Sequence, residues 1–148
     1  MRRSVLAAAA ALLSLQAGAA LIPSGTTATV RINDFARGHA VADVSVDSNG
    51  NIGVGQLRGT FNGASFLIYC TDLFQSFSWG QSYTYTLVDN GAATGFTLRQ
   101  ADLLGKLYTA AGGDAASTDD SVAFQLAVWE VMADTAPSSV QSGNFRVL

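Results

Sequence analysis

The sequence predicts an α+β fold: a β-rich antiparallel sheet or sandwich of about five to seven strands, with two helices late in the chain. Short segments rich in Thr, Val and Ile alternate in polarity through the earlier part of the 148 residues, as half-buried strands do. Asn-Gly pairs separate some of these segments and are typical of hairpin turns. The apolar period then lengthens to that of a helix.

Five segments are predicted as strands, and a further strand begins near the end of the chain. Turns are predicted over residues 33–38, over residues 47–51 and at Asn62-Gly63. The segment that ends at Cys70 is apolar on both faces, which predicts a central strand covered on both sides. The predicted strands are Thr26–Ile32, His39–Asp47, Ile52–Phe61, Ala64–Cys70, Ser82–Val88 and the start of one within Ser142–Leu148.

The loop over residues 71–80 contains three aromatic residues, Phe74, Phe77 and Trp79. We expect these rings to pack onto the core, which is the commonest use of large apolar side chains. A second interpretation is that the Tyr and Phe side chains over residues 74–85 line a patch that binds a glycan or a protein.

Two helices are predicted after the strands. Thr97 and Gln100 form a capping-box pattern that starts a helix reaching about Ala111, with Leu98, Ala101, Leu104 and Tyr108 at helical spacing. Residues 117–120 provide an N-cap and acidic residues for a second helix, from about Asp119 to Asp134, which Pro137 closes. The second helix is apolar on nearly every side and is therefore expected to be buried. Gln125 lies in its middle, so its amide needs a partner.

The first twenty residues predict a secretory signal peptide. Arg2 and Arg3 precede an apolar run from Val5 to Leu15, and small residues around Ala20 suit cleavage. The run is shorter than the roughly 20 residues of a spanning helix. We therefore expect a secreted or cell-surface protein that is not inserted in a membrane after cleavage, with one domain over residues 21–148.

Charge excludes some partners of the mature chain. Two of the eight basic residues leave with the signal peptide, so six basic and eleven acidic residues give a formal net charge of −5. An acidic chain without a basic patch is not typical of proteins that bind nucleic acid. The last predicted strand stops abruptly at Leu148, and we expect the natural fold to continue beyond it.

Cys70 is the only cysteine of the chain. Exported proteins commonly use cysteines in disulfide pairs. A single cysteine is therefore buried and inert, paired between chains, or committed to other chemistry.

Two short motifs surround Cys70 and Gln125. Tyr69-Cys70-Thr71-Asp72 follows a predicted strand, and Phe-Gln-Leu-Ala-Val-Trp-Glu lies in the second helix over residues 124–130. Together they resemble the thioester domain of bacterial surface adhesins, and are similar to exported proteins with a C-terminal Pro-Glu-Pro sorting segment, which is not seen here. The separation of the motifs is short for adhesins with an inserted helical subdomain, so the resemblance implies a reduced version.

The resemblance implies a thioester between Cys70 and Gln125 that attaches the protein covalently to an amine or hydroxyl of a surface protein or glycan. It implies neither a cofactor nor a metal, and no enzymatic turnover. The residues expected to support or shield the bond are Tyr69, Asp72, Phe124, Ala127, Trp129 and Glu130.

Other interpretations remain open. Cys70 can be a small buried apolar residue, and Gln125 can instead satisfy a nearby backbone group or Tyr69. Asp72 and Glu130 can tune proton transfer, although we favour for Glu130 a solvated position or a bond to loop amides. The protein would then be a non-reactive exported binding or matrix module. A third interpretation is a cysteine-dependent hydrolase that pairs Cys70 with His39, the only histidine.

Overall fold

The computed structural model describes residues 23–46, 48–88, 95–136 and 139–148, and the side chains of residues 46 and 48–50 are outside this description. The predicted signal peptide and Pro137 also lie outside the described residues. The elements in chain order are β1 (Thr27–Phe35), β2 (Ala40–Val46), β3 (Ser48–Val54), β4 (Leu57–Phe61), β5 (Ala64–Ile68), β6 (Ser82–Thr86), α1 (Leu98–Ala110), α2 (Thr118–Ala133) and β7 (Arg146–Val147).

The strands form two antiparallel sheets, which confirms the predicted α+β class with two late helices. One sheet has four strands in the order β5-β4-β1-β6, and the other has three in the order β3-β2-β7. Along β1, every second residue from Ala28 to Ile32 is buried, because successive side chains of a strand point to opposite faces. Asn62 and Gly63 both have positive φ at the β4–β5 hairpin, as predicted.

Helix α2 packs over the three-stranded sheet. Its residue Trp129 is buried in one cluster with Val44 of β2, Val54 of β3 and Phe145. On another side, Phe124 and Val128 contribute to a second cluster, which includes Leu104 of α1. The predicted burial of the second helix therefore holds, since α2 contributes to two clusters.

Both predicted helix starts have the expected chemistry. Thr97 accepts the backbone N–H of Gln100 while the Gln100 side chain accepts that of Thr97. Ser117 and Asp120 make the same reciprocal pair at the start of α2. These bonds satisfy N–H groups that the first turn of a helix leaves without an internal partner. Leu98, however, is 75% exposed and does not lie on the buried face of α1.

The prediction of one strand from Ile52 to Phe61 is wrong. The segment contains the end of β3 and all of β4, which belong to different sheets. Gly55 lies at the crossing, where a Cβ atom would come within 3.0 Å of the Gly38 carbonyl oxygen and 3.3 Å of Ser121 Oγ. The glycine is needed for this close approach of backbone to α2.

Three further boundaries differ from the prediction. Strand β1 continues to Phe35 through a register shift after Ile32, so half of the expected turn is strand. Strand β3 pairs with β2 from Ser48 onward, so residues 48–51 of the turn predicted over residues 47–51 are strand. Strand β5 is an edge strand rather than a central one, and it ends at Ile68. Its apolar residues Phe66, Leu67 and Ile68 are half-buried. The sequence pattern alone does not distinguish half-buried residues from fully buried ones.

None of the helices in the described part of the chain is both long enough and apolar enough to cross a membrane.

Candidate functional site

Cys70 lies two residues beyond the end of β5, where the chain leaves the four-stranded sheet. Its side chain is half-buried and packs against the core clusters of both sheets. The residue therefore lies between the two sheets, on backbone that a strand end and the two clusters hold in place.

Gln125 of α2 faces Cys70 directly. The Cys70 N–H donates to Gln125 Oε1 at 2.8 Å, and Gln125 Nε2 donates to the Cys70 carbonyl oxygen at 2.7 Å. The two residues are 55 positions apart in the chain, and Gln125 is only 1% exposed. The amide that sequence analysis left in need of a partner is thus held by two short hydrogen bonds, both to the backbone of Cys70.

The Cys70 thiol has its own partner. Sγ donates to the Asp72 carbonyl oxygen at 3.1 Å. Burial raises the pKa of the thiol, the bond to the Asp72 backbone acts in the opposite direction, the Asp72 charge raises the pKa, and the Trp129 indole lowers it. Because a thiolate and not a thiol is the nucleophile, the resting sulfur is held mainly in its unreactive protonated form.

Asp72 and Glu130 both satisfy loop amides. Asp72 Oδ1 accepts the N–H of Phe74 at 2.8 Å, which fixes the turn directly after Cys70. Glu130 Oε1 accepts the N–H of Ser139 at 3.2 Å. Glu130 is buried at 6% exposure, so the solvated interpretation of this residue is wrong and the loop-amide interpretation holds.

The remaining predicted residues are Tyr69, Phe124, Ala127 and Trp129. Tyr69 and Phe124 pack ring to ring with centroids 4.5 Å apart. Burial, followed by the charge of Asp114, raises the pKa of Tyr69 to about 12. Ala127 is half-buried on α2. Trp129 is 4% exposed and lies in the cluster that Cys70 contacts.

An open cleft of about 430 Å³ leads to the two residues. Cys70, Gln125 and Trp129 form part of its lining, and Asp72 is its only charged residue among those described. The rest of the lining is largely apolar or aromatic: Phe35, Ile52, Gly53, Gly55, Leu57, Leu73, Phe74, Gln75, Ser76, Phe77 and Trp79. A small molecule or a projecting side chain can therefore reach the Cys70–Gln125 contact from solvent.

The aromatic residues of the loop over residues 71–80 do not all pack as predicted. Phe77 packs onto the cluster of the four-stranded sheet, but Phe74 is 67% and Trp79 is 48% exposed. Both exposed rings line the cleft. The expectation that all three rings pack onto the core is wrong for these two, and they contribute an exposed apolar rim instead.

His39 stacks on the ring of Phe35 with centroids 4.4 Å apart. The Cys70 thiol donates to the Asp72 carbonyl oxygen, and His39 is not among the described residues that line the cleft with Cys70. Among the described residues, no group of three His, Cys, Asp or Glu side chains is placed to hold a metal ion.

Comparison of the chain with protein-family models, with curated proteins and with solved structures finds no match.

Sequence reasoning missed the opposite wall of the cleft. Phe35 at the end of β1 and Ile52 and Gly53 of β3 face the Cys70 side. Only the glycines near residue 55 gave a signal, because they indicate close backbone approach. The crossing of the chain from one sheet to the other, which creates the cleft, has no signature in the local pattern.

Proposed function

We propose that Cys70 and Gln125 form an intramolecular thioester, by which this protein attaches covalently to amine- or hydroxyl-bearing molecules outside the cell. The observation that supports this most is the pair of hydrogen bonds that holds the Gln125 amide against Cys70. These bonds join the amide to the backbone of Cys70, the residue that carries the thiol, and so favour the proximity that the uncatalysed reaction of a thiol with an amide lacks.

Bond formation requires Sγ to attack the side-chain carbonyl carbon of Gln125. The S–C bond forms, the C–N bond to Nε2 breaks, and nitrogen leaves as ammonia with the thiol proton. The Cys70 N–H, at 2.8 Å from Oε1, is placed to stabilise the negative charge that develops on that oxygen. This is the role of a donor in an oxyanion hole.

In the attachment step, sulfur is the leaving group instead of the nucleophile. An amine or hydroxyl that enters the cleft attacks the acyl carbon of Gln125, the C–S bond breaks, and Cys70 becomes a free thiol. The target then remains on Gln125 through an amide or ester. Gln125 is 1% exposed, and the open cleft that it helps to line admits a projecting group. The predicted signal peptide places this chemistry at the cell surface or in the surroundings, with a surface protein or glycan as target.

A non-reactive exported binding module is the alternative that a specific observation favours. The two hydrogen bonds to Cys70 already satisfy the Gln125 amide, and the thiol donates to Asp72. Neither group needs a covalent bond to be stable in the core. In that case the exposed rings at the cleft rim are the functional surface.

Treatment with methylamine distinguishes the thioester module from the non-reactive binding module. A thioester is opened by methylamine, which becomes attached to residue 125, and peptide mapping by mass spectrometry locates the label. We expect labelling of the wild-type protein and none of Cys70→Ala. The non-reactive module takes up no methylamine and has an alkylatable Cys70 thiol from the start.

A further inference from the structure

The Trp129 indole N–H is a buried donor without an acceptor. Trp129 is 4% exposed, and its Nε1 makes no hydrogen bond among the described residues. An indole nitrogen can only donate, and buried donors of this kind are uncommon in folded proteins. The indole N–H is therefore available to an acceptor that comes into line with it.

The Cys70 sulfur lies in the same cluster as the indole and can become such an acceptor, since the indole already acts on the thiol as a hydrogen-bond donor. Trp129 follows Gln125 by one helical turn, so the two side chains share a face of α2. Both line the cleft together with Cys70, and Trp129 and Cys70 pack in the same cluster. A thiol sulfur is a weak acceptor, whereas a thiolate carries a full charge and accepts strongly.

The electrostatic surroundings of the sulfur agree with this placement. Burial is the main influence and raises the pKa of the thiol, while the Trp129 indole lowers it. Asp72 acts through both its backbone, which lowers the pKa, and its charge, which raises it. Tyr85 is a further ionisable group near the sulfur, and its own pKa is raised first by burial and also by the charges of Tyr83 and Cys70.

We propose that the Trp129 indole N–H donates to the Cys70 sulfur whenever that sulfur carries negative charge, and so stabilises it as attacking thiolate and as leaving group. This inference rests on the proposed function. When a target opens the thioester, the C–S electron pair goes to sulfur, and the proton lost by the attacking amine returns through solvent to give the thiol. The Trp129 indole keeps its N–H proton throughout and stabilises the negative charge on the Cys70 sulfur through a hydrogen bond.

The test compares Trp129→Phe with the matched control Trp79→Phe, since these are the two tryptophans of the chain. Each protein is first treated with methylamine, which leaves the Cys70 thiol free whether or not a thioester had formed. The rate of alkylation by iodoacetamide is then followed against pH. We expect the thiol pKa of Trp129→Phe to rise by about one unit, a roughly tenfold loss of thiolate at neutral pH. The thiol pKa of Trp79→Phe is expected to match that of the wild-type protein.

A thiol pKa that is the same in folded Trp129→Phe and wild type overturns the inference. If Trp129→Phe does not fold, benzothienylalanine is incorporated into Trp79→Phe, because it keeps the shape of the indole and lacks the N–H. The same rise in pKa is then expected, and its absence is equally decisive. A rise in pKa without methylamine uptake by the wild type keeps the contact between donor and sulfur but refutes the thioester, so the two failures are distinguishable.

Discussion

Replacing Gln125 by Glu in a Cys70→Ala background is expected to make the stability of the protein depend steeply on pH. The background removes any covalent bond from the comparison but keeps the backbone groups of residue 70, which are the partners of Gln125. A protonated Glu can accept from the N–H and donate to the carbonyl oxygen, as the amide does. An ionised Glu cannot donate, and it places its charge against that carbonyl oxygen.

The size of the effect follows from burial. Gln125 is 1% exposed, and a fully buried carboxyl group has its pKa raised by up to about 3–5 units. The N–H of residue 70 still donates to the charged form and offsets part of this shift. A net rise of about two to three units corresponds to roughly 3–4 kcal/mol. This is a large share of the roughly 5–15 kcal/mol by which a domain is stable.

The sign follows from linkage. The folded variant binds its proton more tightly than the unfolded chain, so its stability falls as pH rises. The penalty is absent below the unfolded pKa of about 4.3, grows through neutral pH, and levels off above the folded pKa. Urea unfolding between about pH 4 and pH 8, followed by tryptophan fluorescence, measures it against the parent. Gln81→Glu, at an exposed position, is the control and should show no such trend. A difference between Gln125→Glu and its parent that does not change with pH would refute the buried pairing.

Two further predictions concern close contacts with the backbone outside the Cys70–Gln125 pair. Ser121→Ala removes the acceptor of the buried Gln56 N–H, at 2.6 Å, and should cost about 1–3 kcal/mol in urea unfolding; an unchanged midpoint would show that water replaces the hydroxyl. Gly59→Ala places a Cβ atom against the Arg31 carbonyl oxygen and should destabilise by about 1–3 kcal/mol. Its control, Gly105→Ala, meets no atom within 4 Å in a helix and should stabilise by roughly 0.5–1 kcal/mol; effects of the same sign would contradict this account.

Local chemistry made the helices and most strands predictable. The capping pairs at Thr97 and Ser117 are short-range patterns, and the structure contains both. Ala28, Val30 and Ile32 alternate as a strand with one buried face requires. Such features depend on residues a few positions apart, which a sequence displays directly.

The arrangement between elements was less predictable. The pairing of Cys70 with Gln125 was expected from two motifs and from the need of a buried amide for a partner, and the structure places the residues in contact. The contact consists of hydrogen bonds, and the thioester is a proposal built on it. The edge position of β5 and the exposed rings of Phe74 and Trp79 were not predicted. They depend on which sheet each strand joins, and apolar composition is the same in either case.

The mass of the intact wild-type protein tests the central claim most directly. If Cys70 and Gln125 are joined, the chain is lighter than its sequence by one ammonia molecule, and Cys70→Ala has the full mass calculated from its own sequence. A wild-type chain of full mass, with a thiol that alkylates completely after unfolding, would contradict the thioester and leave a non-reactive exported module.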